Sequence, residues 1–328
     1  MATIQDVAKL AGLSRTTVSR VINDHPYVAE EKKRLVTKAM EELNYVPNSS
    51  AQRLRKQATE TIAVYVPRIT NPFFSQLVES MENAAAQKGY QLILCQTRYK
   101  KKQELFYLEL LRTKQVDGLV LTSIENNWDD IKPYLAYGPI VLCNEYSDEA
   151  EVPVIHLDQV EGGYIGTKHL ISQGYKRIGY CSGNHKSSRV AGDRRIGYLK
   201  AMKEAGLPVY PEWYYDSAYS VSDGMRIFSI IESQDNKPDS VFTGSDEVAA
   251  GIAKAAKKAG WRVPDDLAII GFDNQPLAEL MDLTTVEQPI DTIGRLAMEK
   301  MIEEILSKRP QRRKRTELPL KIIQRSST

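Results

Sequence analysis

From Thr61 onward the chain alternates two kinds of segment. Short apolar runs, IAVYV, LILC, GLVLT and IVLCN, are separated by helix-length stretches such as FSQLVESMENAAAQ and KQELFYLELLRTK. Continuous apolar runs of strand length suit strands buried on both faces, and the stretches between them suit crossover helices. The pattern therefore predicts parallel sheet covered by helices. A second series opens near Tyr164. It carries RIGYCSG, SVFTG and AIIGF, with IGTKHLISQG, IGYLKAMKEAG and EVAAGIAKAAKKAG as helical partners. Two such series in about 270 residues imply two α/β lobes with a cleft between them. Ligands of open parallel sheets sit beyond the carboxyl ends of the strands.

The residues before Thr61 follow a different period. Thr3, with Asp6 three positions later, forms a capping-box pattern ahead of a helix that carries Ile4, Val7, Ala8 and Ala11, and Gly12 ends it. Ser14 can cap a second helix, SRTTVSRVIN. On it Arg15, Thr16, Ser19, Arg20 and Asn23 share one face, while Val18, Val21 and Ile22 share the other. A third helix, roughly Glu30 to Asn44, offers Leu35, Val36, Ala39, Met40 and Leu43 as its apolar stripe. Two short helices joined by a tight turn and closed by a third make a helix-turn-helix. Residues 1–57 hold ten Lys and Arg against six Asp and Glu, a balance of +4 in a chain whose net charge is +2. Basic charge gathered in one module suits a polyanion, and the polar face of the second helix suits a major groove. Periodicity and charge alone fit equally well a three-helix bundle with a solvated face.

The run TIQDVAKLAGLSRTTVSRVIN, followed by ELNYVPNSSAQRLR, resembles the amino-terminal signature of the LacI/GalR family of bacterial regulators. The resemblance implies an all-α helix-turn-helix headpiece over residues 1–46, a hinge helix and linker over 47–60, and a sensor over 61–328. The sensor would be α/β, two-lobed and similar to periplasmic binding proteins. Its first lobe would span about 61–158 plus 290–318, and its second about 159–289 plus the C-terminal strand. By motif position, Arg15 and Thr16 open the recognition helix, and Ser19, Arg20 and Asn23 contact bases or phosphates. In the hinge, Leu54 stands where the family inserts a leucine into the minor groove, with Arg53 and Arg55 placed to meet phosphates. The alternative is that Leu54 packs on its own headpiece.

The same resemblance places effector-binding residues in the cleft: Phe73 and Phe74 after the first strand, Asn144, Arg194, Tyr219, Asp246 and Asp273. Aromatic faces over a ring, with Arg and Asp hydrogen bonds to hydroxyls or ring nitrogens, make a box for a sugar or a nucleobase, with a sugar or sugar derivative the expected effector. Aromatic residues beside a strand are also ordinary core, and Asp246 can equally cap the helix behind it. The expected protein is a cytoplasmic homodimer that binds a pseudo-palindromic double-stranded operator and represses transcription of carbohydrate or related genes. HPYVAEEK and YLELLRTKQVDG also resemble the catabolite-control branch of the family, where a phosphorylated carrier protein can serve as corepressor.

Other classes find little support. No G-x-G-x-x-G follows a strand, the Gly162, Gly163, Gly166 cluster has the wrong spacing for one, and neither a P-loop nor a nucleophile elbow occurs. Neither catalytic residues nor a cofactor are expected, so a cytoplasmic solute-binding protein or an enzyme fused to a helix-turn-helix ranks behind a regulator. Cys95, Cys143 and Cys181 are far apart, as are His25, His156, His169 and His185, so neither disulfides nor a metal site is expected. No apolar run reaches the length of a membrane span, and the first residues contain no secretory h-region.

Overall fold

The structure, a computed structural model of the 328-residue chain, describes residues 2–23, 25–46, 58–183, 188–307 and 315–328. The chain divides into two compact units, residues 1–59 and 60–328.

In the first unit α1 (Ile4–Leu10) starts on the expected box: the Asp6 amide donates to Thr3 Oγ1, and the Thr3 amide and hydroxyl both donate to Asp6 Oδ2. Gly12 then adopts φ +65°, a left-handed turn that a side chain would strain. α2 (Arg15–Ile22) is capped by Ser14, whose Oγ accepts from the Thr17 amide. With α3 (Glu30–Glu42), these helices enclose Val7, Ala8, Val18, Val36 and Ala39. Complete burial of each of the three valines contributes about 1.5–3 kcal/mol. Leu35 was expected in the α3 stripe but lies 44% exposed, because Val36, Ala39, Met40 and Leu43 already fill the i, i+3, i+4, i+7 face.

The second unit is built on two six-stranded sheets. The first orders its strands β11-β5-β4-β3-β1-β2, all parallel, from β1 (Thr61–Val66), β2 (Gln91–Gln96), β3 (Gly118–Leu121), β4 (Ile140–Asn144), β5 (Val154–Leu157) and β11 (Arg315–Leu318). The second orders its strands β12-β10-β9-β8-β6-β7, from β6 (Ile178–Cys181), β7 (Tyr214–Tyr215), β8 (Ser240–Thr243), β9 (Ala268–Asp273), β10 (Thr284–Glu287) and β12 (Lys321–Ile323). Only β12 runs antiparallel to its neighbour.

Helices cover both faces of each sheet. On the first sheet, α4 (Pro72–Ala86) and α12 (Ile290–Leu306) bury Leu77, Met81, Met298 and Met301 on one side, while α5 (Lys101–Arg112) and α6 (Trp128–Ile131) bury Leu108, Leu111 and Trp128 on the other. On the second, α7 (Gln159–Ser172) and α8 (Arg189–Glu204) face α9 (Val221–Ser233), α10 (Asp246–Lys258) and α11 (Pro276–Leu280) across the strands. The Gly162–Gly166 cluster serves packing here. A Cβ on Gly163 would stand 2.0 Å from the Arg194 carbonyl, and one on Gly197 would stand 1.9 Å from the Val160 carbonyl, so α7 and α8 cross in near backbone contact.

The chain passes between lobes three times, after β5, after β10 and after β11. The stretch ELPLKIIQRSS is therefore divided between two strands in two different sheets. Pro319 separates them; it lacks the N–H that a continuing ladder would need. Among the described residues no helix is long and apolar enough to cross a membrane.

Candidate functional site

On α2, Arg15, Thr16, Arg20 and Asn23 are exposed and Ser19 is half-buried, opposite Val18 in the core. The Asn23 amide nitrogen donates back to the Ser19 carbonyl (2.5 Å), tying the end of this face to its middle. Ser14 and Val18 fix the rotation of the helix, so the five expected contact residues share one outward surface. The hinge candidates Arg53, Leu54 and Arg55 lie outside the described residues.

In the second unit a cleft of about 890 Å³, counting its part open to solvent, lies between the two lobes. Its walls are the carboxyl ends of the strands: Thr122 and Ser123 after β3, Asn144 and Glu145 at the end of β4, Ser182 after β6, Gly244 and Ser245 after β8, and Asp273 closing β9. Phe73 and Phe74 reach it from the first turn of α4. Asn71 begins that helix by accepting from the Phe73 amide (2.9 Å), and Pro72 supplies a φ already suited to a first helical residue. The two rings meet edge to face at 5.1 Å. They are largely buried and belong to the core while also lining the cleft.

Two of the expected contact residues hold unusual backbone. Asn144 has φ +69° and Asp273 φ +105°, followed by Asn274 at +56°. Such conformations cost about 1–3 kcal/mol each in non-glycine residues and collect at ligand sites. Asp273 is buried, with one oxygen accepting from Gln288 Nε2 (2.5 Å) and the other from Gln275 Nε2 (2.8 Å). Burial pushes its carboxyl up to about 6, against the opposing pull of Arg194. Arg194 is held as firmly. Nε donates to Gln159 Oε1 (2.7 Å), Nη1 donates to the Gly244 carbonyl (2.9 Å), and the guanidinium lies 3.5 Å from the centre of the Phe272 ring. Tyr219 also lines the cleft, its ring 5.6 Å from that of Tyr99.

Asp246 departs from expectation. Its carboxylate points away from the cleft into the second lobe, where Thr285 Oγ1 donates to one oxygen (2.6 Å) and the Gln275 amide to the other (2.7 Å). The helix cap is Ser245 instead. A Cβ on Gly271 would meet Asp246 Oδ1 at 2.1 Å, so the buried carboxylate occupies room left by a missing side chain. Burial, then the charge of Asp273, raises Asp246 to about 8. It pins the loop that presents Asp273 and does not line the cleft.

Residue-level reading missed Tyr99, Ser123, Glu125 and Glu145, all of which line the cleft. Three of them follow β3 or β4 directly, where the strand-end rule already pointed. Glu145 also joins the lobes. It accepts from the Ile124 amide (3.0 Å) in its own lobe and from Ser188 Oγ (3.1 Å) and the Arg189 amide (3.0 Å) at the start of α8 in the other. Tyr146 Oη donates to Asp193 (2.6 Å), Arg189 pairs with Asp148 (2.7 Å), and Arg68 Nη1 donates to the Tyr219 carbonyl (2.9 Å). These contacts hold the lobes together on both sides of the cleft. Two buried wall atoms, Ser123 Oγ and Asn144 Oδ1, have no hydrogen-bond partner.

The three cysteines are free and buried, with burial pushing the Cys95 thiol up to about 12, and the described residues contain no cluster of metal ligands.

Residues 3–48 match the pattern of bacterial regulatory proteins of the lacI family, and residues 59–326 match that of the periplasmic binding proteins and sugar binding domain of the LacI family. The NTD biosynthesis operon regulator NtdR of Bacillus subtilis (strain 168) is 44% identical over 330 residues, covering 100% of both chains. The HTH-type transcriptional repressor PurR of Pasteurella multocida (strain Pm70) is 36% identical over 316 residues, covering 95% of this chain and 94% of PurR. Among solved structures, a transcriptional regulator CelR–cellobiose complex matches with a TM-score of 0.74 at 27% identity and covers 100% of both chains. With both patterns present in order and relatives matched along its whole length, the chain belongs to the LacI family of bacterial regulatory proteins and is a DNA-binding transcriptional regulator rather than an enzyme.

Proposed function

We propose that this regulator is a cytoplasmic homodimeric repressor that reads a pseudo-palindromic operator with the outward face of α2 and answers a sugar or sugar derivative bound in the cleft. The headpiece would be residues 1–46, the hinge 47–60 and the sensor 61–328. In the hinge Leu54 would wedge into the minor groove while Arg53 and Arg55 meet phosphates. The observation that carries the effector assignment is the pair of buried, unpartnered atoms, Ser123 Oγ and Asn144 Oδ1, in a cleft walled by Phe73 and Phe74. Buried polar groups are ordinarily satisfied, and ligand hydroxyls would satisfy these while the aromatic edges cover an apolar ring face. The CelR–cellobiose match supports a sugar. Arg194 and Asp273 would complete the site from the second lobe. Ligand held between the lobes favours their closed arrangement, and the reciprocal coupling requires DNA to change ligand affinity by the same factor.

The test is fluorescence anisotropy of the full-length protein on duplex DNA from its own upstream region, titrated with mono- and disaccharides. At least one sugar should shift the operator affinity, and operator should shift the affinity for that sugar equally. Operator binding that no sugar alters would remove the sugar assignment. The same titration with a phosphorylated carrier protein tests for a protein corepressor.

A further inference from the structure

The described residues that line the cleft include three acids, Glu125, Glu145 and Asp273, and one base, Arg194. Three of these four already hold partners within the protein. Glu145 is occupied by its amide and hydroxyl donors, Asp273 by two glutamines, and Arg194 by Gln159 and Gly244. Nearby cations are engaged as well, Arg68 with the Tyr219 carbonyl and Arg189 with Asp148. The Glu125 carboxylate is different. It is half-buried in the cleft wall, and among the described residues none donates a hydrogen bond to it. Its charged neighbours among the described residues are Glu145 and Glu104, against the weaker attraction of Lys101, and burial together with that repulsion holds it up at about 7.

Beside it, Asn144 Oδ1 is buried without a donor and can only accept, and Ser123 Oγ is buried without a partner. The first-lobe wall is therefore rich in acceptors and negative charge, and among the described residues nothing satisfies Asn144 Oδ1, Ser123 Oγ or the Glu125 carboxylate. A protonated amine has the complementary chemistry: three donors, no acceptor and one positive charge.

We infer that the effector carries a protonated amine, seated against Glu125 and within reach of Asn144 Oδ1 and Ser123 Oγ, on a hydroxylated ring that occupies the rest of the cleft. The inference rests on the sugar reading above and narrows it to amino sugars. A charge-assisted hydrogen bond to a half-buried carboxylate distinguishes –NH3⁺ from –OH by about tenfold or more in affinity.

Calorimetric titration of the full-length protein with matched pairs tests it: glucose and glucosamine, galactose and galactosamine, mannose and mannosamine, with N-acetylglucosamine as an uncharged control. The expected result is that at least one amino sugar binds about tenfold or more tightly than its neutral partner, and that the N-acetyl compound loses the advantage. In Glu125→Gln the preference should collapse towards unity while the neutral sugar binds as well or better. The melting temperature of the unliganded variant reports whether it is folded. Glu125→Asp, which keeps the charge, should retain part of the preference. Neutral sugars binding as tightly as their amino partners would overturn the amine and leave the sugar reading standing. A preference that survives in Glu125→Gln would overturn the assignment of Glu125. If no member of either series binds, the sugar reading fails and takes the inference with it.

Discussion

Replacing Arg194 with alanine removes more than a contact to ligand. The Gly244 carbonyl and Gln159 Oε1 each lose their donor in a buried setting, at about 1–3 kcal/mol apiece. The Phe272 face loses a cation held 3.5 Å from its centre, worth up to about 2 kcal/mol where desolvated. Asp273, buried and attracted by this guanidinium, loses the charge that opposes its uptake of a proton. These losses share atoms and do not add. Two buried acceptors without donors and the lost ring contact put the whole at about 3–5 kcal/mol. Urea denaturation can measure it, because Trp128, Trp213 and Trp261 all lie in the sensor and its unfolding dominates the tryptophan signal. Arg194→Ala should lower the unfolding free energy by that amount. Arg194→Ala combined with Asp273→Asn should cost at least about 1 kcal/mol less than the sum of the single variants, since either single change already removes the attraction between the two charges. A cost below about 1 kcal/mol, or additivity within about 0.5 kcal/mol, would refute that coupling and leave Arg194 as a ligand contact alone.

Three further outcomes follow from the described geometry. Arg15→Ala should weaken operator binding roughly ten- to a hundredfold and relax base preference at one symmetric pair of positions; anisotropy over an operator library would instead show a uniform loss if Arg15 meets only phosphate. Tyr146→Phe removes the hydroxyl that donates to Asp193 across the cleft, so effector affinity by calorimetry should fall about two- to tenfold, and an unchanged affinity would mean that this bond does not favour the closed lobes. Asp246 and Asp273 bind their protons more tightly when folded than an ordinary carboxyl does, so their contribution is intact below the usual carboxylate range and is lost as pH rises through about 6 and about 8. The urea midpoint should therefore decline from about pH 4 to about pH 8, and Asp246→Asn should flatten that decline above about pH 6; equal slopes would assign it to other groups.

Strands that read directly from the sequence are mostly those whose burial on both faces makes them uniformly apolar, β1, β3, β4, β6, β8 and β9; β2 read as readily from LILC, but as an edge strand it leaves Ile93 and Leu94 exposed. β10 did not read as a strand, because Thr284 and Thr285 look polar yet are buried. They spend their hydroxyls on residues remote in sequence, Thr284 on the Arg325 carbonyl and Thr285 on Asp246. β7, only Tyr214–Tyr215, is too short to show a period, and its place follows from pairing with β6. The DNA-reading face was legible because capping and helical period are local. The cleft was only partly legible. Motif position brings Phe73, Asn144, Arg194 and Asp273 to it, but the direction of a side chain at a helix start depends on its neighbours. Asp246 turns inward because Gly271, distant in sequence, leaves space there. Glu125 and Glu145 carry no motif, and their roles arise from what approaches them: like charges in one case, the amides of α8 in the other.

The division of the stretch after Arg315 between the two sheets also sets the order in which this protein can be completed. β11 and β12 are the outer strands of their sheets, and both are made after every other strand. A ribosome releases the headpiece, residues 2–46, long before it reaches them. Throughout most of synthesis the nascent chain is thus a finished three-helix module trailing two lobes that each lack an edge. Neither lobe gains its last strand ahead of the other, because both strands emerge within nine residues of chain, 315–323. A message cut short anywhere earlier would leave a module able to fold with no complete sensor to govern it.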